Sequence, residues 1–180
     1  MPSLPDFKLE TYFSKWEFNV KFNMCASDTE AIPMRELLDM ASEEDKKAWE
    51  NLHLGYTETY GSPKLREAIA NTYNSLKSKH ILTFAGAEEG IYVAMKSILN
   101  NKDHAIVINP NYQSSETLPD SICEISGVSL DPKNDWNLDM NEIENAIKSN
   151  TKLISINFPN NPTGKLISRK ELNDLIILAK

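Results

Sequence analysis

The chain is short of the residues that build the commonest covalent and metal frameworks. Its two cysteines, Cys25 and Cys123, lie far apart and in no metal-ligand spacing. No disulfide framework follows from them, and a reducing, cytoplasmic setting is the expectation. The three histidines, His53, His80 and His104, share no ligand spacing and read as structural or surface groups. No run approaches the ~20 apolar residues of a membrane helix. "MPSLPDFKLE" at the N-terminus has no basic region followed by an apolar core, so no secretory signal is expected. Positive charge is also in deficit: the net charge is −7 and the pI about 5.0, which argues against a nucleic-acid partner. A small anion stays open as a ligand, because backbone amides bind anions without net positive charge. Neither G-x-G-x-x-G nor a P-loop is present, which leaves a nucleotide-binding α/β domain little support.

What is present is a soluble globular composition, 41% hydrophobic and 25% charged, in 180 residues. Residues 1–33 carry three prolines and scattered aromatics, and read as an arm with one short helix. Residues 34–51 have helical character. Pro63 opens a helix capped by Ser62, with Leu65, Ile69, Tyr73 and Leu76 at helical spacing. The chain then alternates. Strands are expected at 80–85, 104–109, 121–130 (with a kink at Gly127) and 152–157. Helices are expected at 88–99, after the 111–118 loop, at 139–149 and at 168–180. Asp139 with Glu142 and Ser168 with Glu171 have capping-box spacing. Inward positions are Ile91, Ala94, Met95, Ile98 and Leu99 in one helix, and Leu172, Leu175, Ile176 and Ala179 in the last. Apolar strands alternating with helices predict an α/β fold: a largely parallel sheet with helices on both faces, preceded by the N-terminal arm. Ligands of such sheets bind at the carboxyl ends of the strands.

Three loops fall at that edge. "FAGAEEG" (84–90) joins a strand to a helix; Gly86 turns the backbone, and the amides of Ala87 and Glu88 start a helix suited to a phosphate. The same glycine also suits an ordinary strand–helix turn. "NPNYQS" (109–114) places Tyr112 just past a turn, where its ring can lie over a flat heteroaromatic ligand or simply pack in the loop. "NFPNNPTGK" (157–165) ends a strand in adjacent carboxamides; Asn160 suits the turn, while Asn161 offers a donor and an acceptor to a phenolic oxygen. A phosphate seat, an aromatic ring and an amide together fit a phosphorylated pyridine better than a nucleotide.

"GYTETYGSPKLREAIA", "FAGAEEGIYVAM", "NPNYQSS" and "NFPNNPTG" resemble, in order and spacing, successive motifs of the fold-type I pyridoxal-phosphate enzymes, the class I/II aminotransferases. The resemblance covers roughly residues 50–180. It implies pyridoxal 5′-phosphate as cofactor and transamination of an amino acid and a 2-oxo acid. By the same resemblance, Gly86, Ala87 and Glu88 hold the cofactor phosphate, Tyr112 stacks on the ring, and Asn161 bonds the ring oxygen. Tyr56 matches the tyrosine that reaches the phosphate of a neighbouring subunit, which implies a homodimer. Arg66 and Glu67 sit in the matching helix and read as structural. Residues 1–50 are expected to belong to a small domain, and 51–180 to a partial large domain that binds the cofactor.

The family's covalent lysine, its aspartate for the pyridine nitrogen and its arginine for the substrate carboxylate normally follow the NPTG loop. Neither Lys165 nor Lys180 has the lysine's setting, and the last helix runs to Lys180 without a C-cap glycine. The expectation is therefore the N-terminal part of an enzyme, with no catalytic lysine of its own and no turnover alone. "MCASD" (24–28) stands where many members place a glycine-containing substrate loop. Two other expectations remain at this stage: a lyase or cyclase using the same cofactor, and a non-catalytic protein that keeps the fold.

Overall fold

The structure, a computed structural model, describes residues 4–180. Its contacts divide the chain into two compact units: residues up to Ser27 with Gly86–Lys180, and Asp28–Ala85. This division does not follow a boundary at residue 50.

In the first unit, α1 (Lys8–Trp16) is followed, past the second unit, by α5 (Ala87–Ile98), β1 (His104–Asn109), α6 (Ser114–Asp120), β2 (Glu124–Ser129), α7 (Met140–Ala146), β3 (Thr151–Ser155) and α8 (Arg169–Leu178). The three strands are parallel in the order β2-β1-β3, so β1 is central and buried along nearly its whole length. Side chains alternate across a strand, and each face takes a different set. Ile106 and Ile108 of β1 join Val128, Ile143 of α7 and Leu175 of α8 on one face. Ala105 joins Met95 and Leu99 at the end of α5, Leu118 of α6 and Cys123 on the other. The register agrees, with Ile106 opposite Ile154 and Ala105 opposite Leu153. The expected α/β fold with a parallel sheet and helices on both faces is thus observed.

Several local expectations need correction. Residues 80–85 form no strand: a 3-10 turn occupies Ser78–His80, and the amide of Thr83 goes to the Tyr60 carbonyl instead of a ladder. A strand needs a neighbour, which periodicity does not supply. The 34–51 helix is two helices, α2 (Met34–Met40) and α3 (Glu43–Glu50). Ala41 is extended between them, and the hydroxyl of Ser42 accepts from the Asp45 amide as a new cap. α4 (Pro63–Ala70) has its proline at the first turn and Ser62 as cap, as expected, but ends before Tyr73. Leu65, Ile69, Tyr73 and Leu76 nevertheless line one groove with residues 81–84. Gly127 makes no kink: β2 pairs with β1 straight through it. A Cβ there would meet the Asn109 carboxamide at 2.9 Å, so the glycine serves a close approach. Asp139 caps α7 through the Asn141 amide, whereas the Ser168–Glu171 capping box forms in full. Ala94, Ile98, Ile176 and Ala179, expected inward, are exposed.

In the second unit, Arg66 donates to the carbonyls of Ser78 (2.8 Å) and Ile81 (3.0 Å), and so ties α4 to the segment beyond it. Its structural reading is what the contacts give.

His104 spans the sheet at the amino ends of the strands. Its side chain is fully buried, with Nδ1 2.8 Å from the Thr151 hydroxyl on β3 and Nε2 2.9 Å from the Ser126 hydroxyl on β2. Burial, then the charge of Lys148, push its pKa below the usual 6.5, against a smaller opposing effect of Glu124. The unfolded chain therefore binds a proton at a pH where the folded one does not. Stability should fall as the pH drops from about 6.5 toward the depressed folded value, and level off below it. Urea denaturation across that range checks this: His104→Gln should flatten the slope, and an identical slope in the variant would refute the assignment.

Candidate functional site

The topology itself makes a crevice. β1 leads to α6, which packs on one face of the sheet, while β3 leads to α8, which packs on the other. Adjacent parallel strands whose following helices diverge leave an opening at their carboxyl ends. A cleft of about 690 Å³ lies there, lined by Gly86, Ala87, Glu88, Ile91, Tyr112, Ser115, Ser155, Asn157 and Asn161 among others. Its volume suits a small cofactor.

α5 presents its N-terminus to this cleft. Gly86 is its N-cap, at a φ of 125°, and contributes no side-chain cap. The first amides of a helix have no partner within it, so those of Ala87 and Glu88 are available to a ligand. Glu88 and Glu89 in the first turn complement the dipole and set a negative charge beside the cleft.

Tyr112 follows the turn at Asn109–Pro110, where the Asn111 carboxamide donates to the Ile108 carbonyl at 2.6 Å and to Asn109 Oδ1 at 3.0 Å. Its half-buried ring meets Phe7 at 5.1 Å between centroids. Burial raises the pKa of its hydroxyl, helped by the charges of Glu88 and Glu10, so it stays protonated at neutral pH.

The two carboxamides after β3 have different settings. Asn160 is 4% exposed; its Nδ2 donates to the Pro110 carbonyl (3.1 Å), and its Oδ1 accepts from the Thr163 amide (3.3 Å) and hydroxyl (2.7 Å). It locks the turn and ties that turn to the loop after β1. Backbone bonds from Asn160 to the Lys165 carbonyl and from Gly164 to the Asn160 carbonyl close the loop, with Gly164 at a φ of 73°. Asn161 faces the cleft, with a single long bond from Nδ2 to the Ser27 hydroxyl at 3.4 Å. Ser27 belongs to the "MCASD" stretch.

Five of the six residues singled out in the sequence thus line one cleft. The sixth, Tyr56, belongs to the Asp28–Ala85 unit and is fully solvent-exposed. Lys165 is paired with Asp135 at 2.9 Å, and among the described residues no lysine lines the cleft. Ser115, Ser155 and Asn157 are lining residues the sequence reading did not single out; the Ser155 hydroxyl donates to the Ser115 carbonyl at 3.3 Å. Their signal was positional, since Ser155 and Asn157 sit at the carboxyl end of a strand. Among the described residues no His/Cys/Asp/Glu cluster could hold a metal ion, and no helix is long and apolar enough to cross a membrane.

A family model for class I and II aminotransferases matches residues 20–180. The aspartate aminotransferase of Sulfolobus acidocaldarius is 33% identical over 149 residues, covering 77% of this chain and 36% of that protein. The aspartate aminotransferase of Pyrococcus horikoshii is 32% identical over 131 residues, covering 69% of this chain and 34% of that protein. A crystal structure of a PLP-dependent aminotransferase from Streptococcus suis superimposes with a TM-score of 0.90 at 28% identity, covering 98% of this chain and 48% of that one. The chain therefore spans about a third of the length of these curated relatives and about half of that structure.

Proposed function

Because the chain belongs to the class I and II aminotransferase family, we propose that its cleft holds pyridoxal 5′-phosphate and that the whole protein transfers an amino group between an amino acid and a 2-oxo acid. The observation that carries the reading is the convergence on one crevice of the loops after β1 and β3 with the N-terminus of α5. The donor set fits the group. Ala87 and Glu88 offer amides to a phosphate, with Gly86 leaving the helix end uncapped. Tyr112 supplies a flat apolar face for the pyridine ring. Asn161, held by only one long bond, is free to turn its carboxamide to the ring oxygen.

When bound, pyridoxal phosphate supplies the electron sink for the chemistry. The residues of this chain bind and orient it. With no lysine in the cleft and Lys165 committed to Asp135, the 180-residue chain alone is expected to be inactive. In the whole protein we assign Tyr56, whose side chain is free in solvent, to the phosphate held by a second copy, in a cytoplasmic homodimer. Residues 51–180 are read as part of the large cofactor-binding domain, and residues 1–50 as part of a small one.

Titration of the purified protein with pyridoxal phosphate, followed by absorbance, tests the reading. Tyr112→Ala should cost about 1 kcal/mol of binding, roughly fivefold in Kd, through lost stacking. Asn161→Ala should weaken binding by a similar factor through a lost hydrogen bond. Unchanged affinity in both variants would contradict the assigned site.

A further inference from the structure

The N-terminal arm makes a contact that cofactor binding by the cleft does not itself require. Gln113, the residue after Tyr112, accepts from the Lys8 amide through Oε1 at 3.0 Å and donates through Nε2 to the Asp6 carbonyl at 2.9 Å. An amide N–H can only donate and a carbonyl can only accept, so this pair of bonds fixes the orientation of the Gln113 carboxamide. Between the two bonded arm residues lies Phe7, and its ring is the one that meets Tyr112, at 5.1 Å and an interplanar angle of 52°. Phe7 is not among the residues lining the cleft, whereas Tyr112 is. Phe7 therefore meets Tyr112 without itself forming part of the cavity wall. Residues more than 100 positions apart in sequence are thus joined by three contacts at a single point of the site.

We propose that the Asp6–Phe7–Lys8 segment, clamped by Gln113, is a positioning device that backs the Tyr112 ring and sets its angle toward a ring bound in the cleft. The inference rests on the cofactor reading above. A tyrosine on a strand-end loop, unless packed against a neighbour, has freedom about both side-chain torsions, and a ligand that stacks on it must pay for restricting them. Phe7 fills the space behind the ring and restricts it beforehand. Gln113 holds Phe7 there by engaging the backbone on either side, so the register of the arm is set independently of its side chains. Phe7 and Gln113 touch no reacting atom in this scheme; they act through Tyr112.

The arm and the cofactor should then be thermodynamically linked, each favouring the ordered state of the other. The test combines hydrogen exchange at the arm with cofactor titration on the purified protein. In the unsubstituted protein, the Lys8 amide should be protected, and pyridoxal phosphate should increase that protection. Gln113→Ala should release the Lys8 amide, weaken pyridoxal phosphate by up to about tenfold, and reduce the induced circular dichroism of the bound cofactor. Phe7→Ala should weaken binding similarly while leaving the Lys8 amide protected, because the clamp uses backbone groups. Gln113→Glu keeps the acceptor for Lys8 but loses the donor to Asp6, and should fall between the two proteins. Release of the arm in Gln113→Ala with unchanged affinity and dichroism would overturn the proposal, as would an unprotected Lys8 amide in the unsubstituted protein. Failure of the unsubstituted protein to bind pyridoxal phosphate would instead overturn the cofactor reading, and the role of the arm with it.

Discussion

Asn160→Ala should lower stability by about 3 kcal/mol and weaken cofactor binding, although Asn160 itself does not line the cleft. The side chain is 4% exposed and engages three protein groups. Truncation to alanine leaves the Pro110 carbonyl, the Thr163 amide and the Thr163 hydroxyl without this partner at partly buried positions. Each net hydrogen bond is worth about 1 kcal/mol, and orphaned buried groups add their desolvation penalty. The bond to Pro110 is also what ties the loop after β3 to the loop after β1. Its loss lets Asn161 and Tyr112, which sit on those two loops, drift apart. Asn160→Asp offers no relief: it retains the acceptor but loses the donor to Pro110, and it brings a charge into a buried position. Urea denaturation gives the first effect and cofactor titration the second. A loss below about 1 kcal/mol would mean the two loops are held by something else.

Gly61→Ala should destabilise the Asp28–Ala85 unit by about 3 kcal/mol. Gly61 is buried, at a φ of 99°, and a Cβ built on it collides with the Thr83 hydroxyl and lies 3.0 Å from two further Thr83 carbons. An L-residue at such a φ costs on the order of 1–2 kcal/mol, and overpacking adds a comparable amount. Thr83 cannot withdraw freely, because its amide and its hydroxyl both bond the Tyr60 carbonyl, at 3.2 and 3.4 Å. Limited proteolysis should show new cleavage within residues 28–85. Wild-type resistance there would contradict the packing. The double variant Gly61→Ala/Thr83→Ala should recover part of the loss by removing the collision while keeping the backbone strain.

What the sequence conveys well is whatever is encoded locally. The caps at Ser62 and at Ser168–Glu171 form as read, since a hydroxyl three residues before an amide is a short-range device. β1 reads as buried because every position from His104 to Ile108 is enclosed by the two faces of the sheet. The break at Ser42 was legible too: "SEED" has the same capping pattern, but helical composition on both sides masks it. The 80–85 segment shows the limit. Its residues favour a strand, yet a strand is a relation between two segments, and sequence periodicity says nothing of the second.

The site divides in the same way. Gly86, Ala87, Glu88, Tyr112 and Asn161 were legible as three separate motifs; the divergence of α6 and α8 around β1 and β3 opens the crevice between Tyr112 and Asn161, and the packing of α5 through Met95 and Leu99 brings Gly86, Ala87 and Glu88 to it. The sequence assigns Asn160 to the turn and Asn161 to a ligand, but the extent of the difference lies in tertiary contacts, since Asn160 is buried with three side-chain bonds and Asn161 faces the cleft with one long bond. The Gln113 clamp was not legible at all. It depends on an arm more than 100 residues away, and a glutamine after a tyrosine has no spacing that announces it.

Backbone amide exchange at the N-terminus of α5 tests the central claim most directly, compared between the free protein, pyridoxal and pyridoxal 5′-phosphate. If the cleft holds the cofactor with its phosphate on α5, pyridoxal phosphate should slow exchange at Ala87 and Glu88, and pyridoxal, which lacks the phosphate, should not. Equal effects of the two ligands at those amides, or protection by pyridoxal phosphate confined to other parts of the chain, would contradict it.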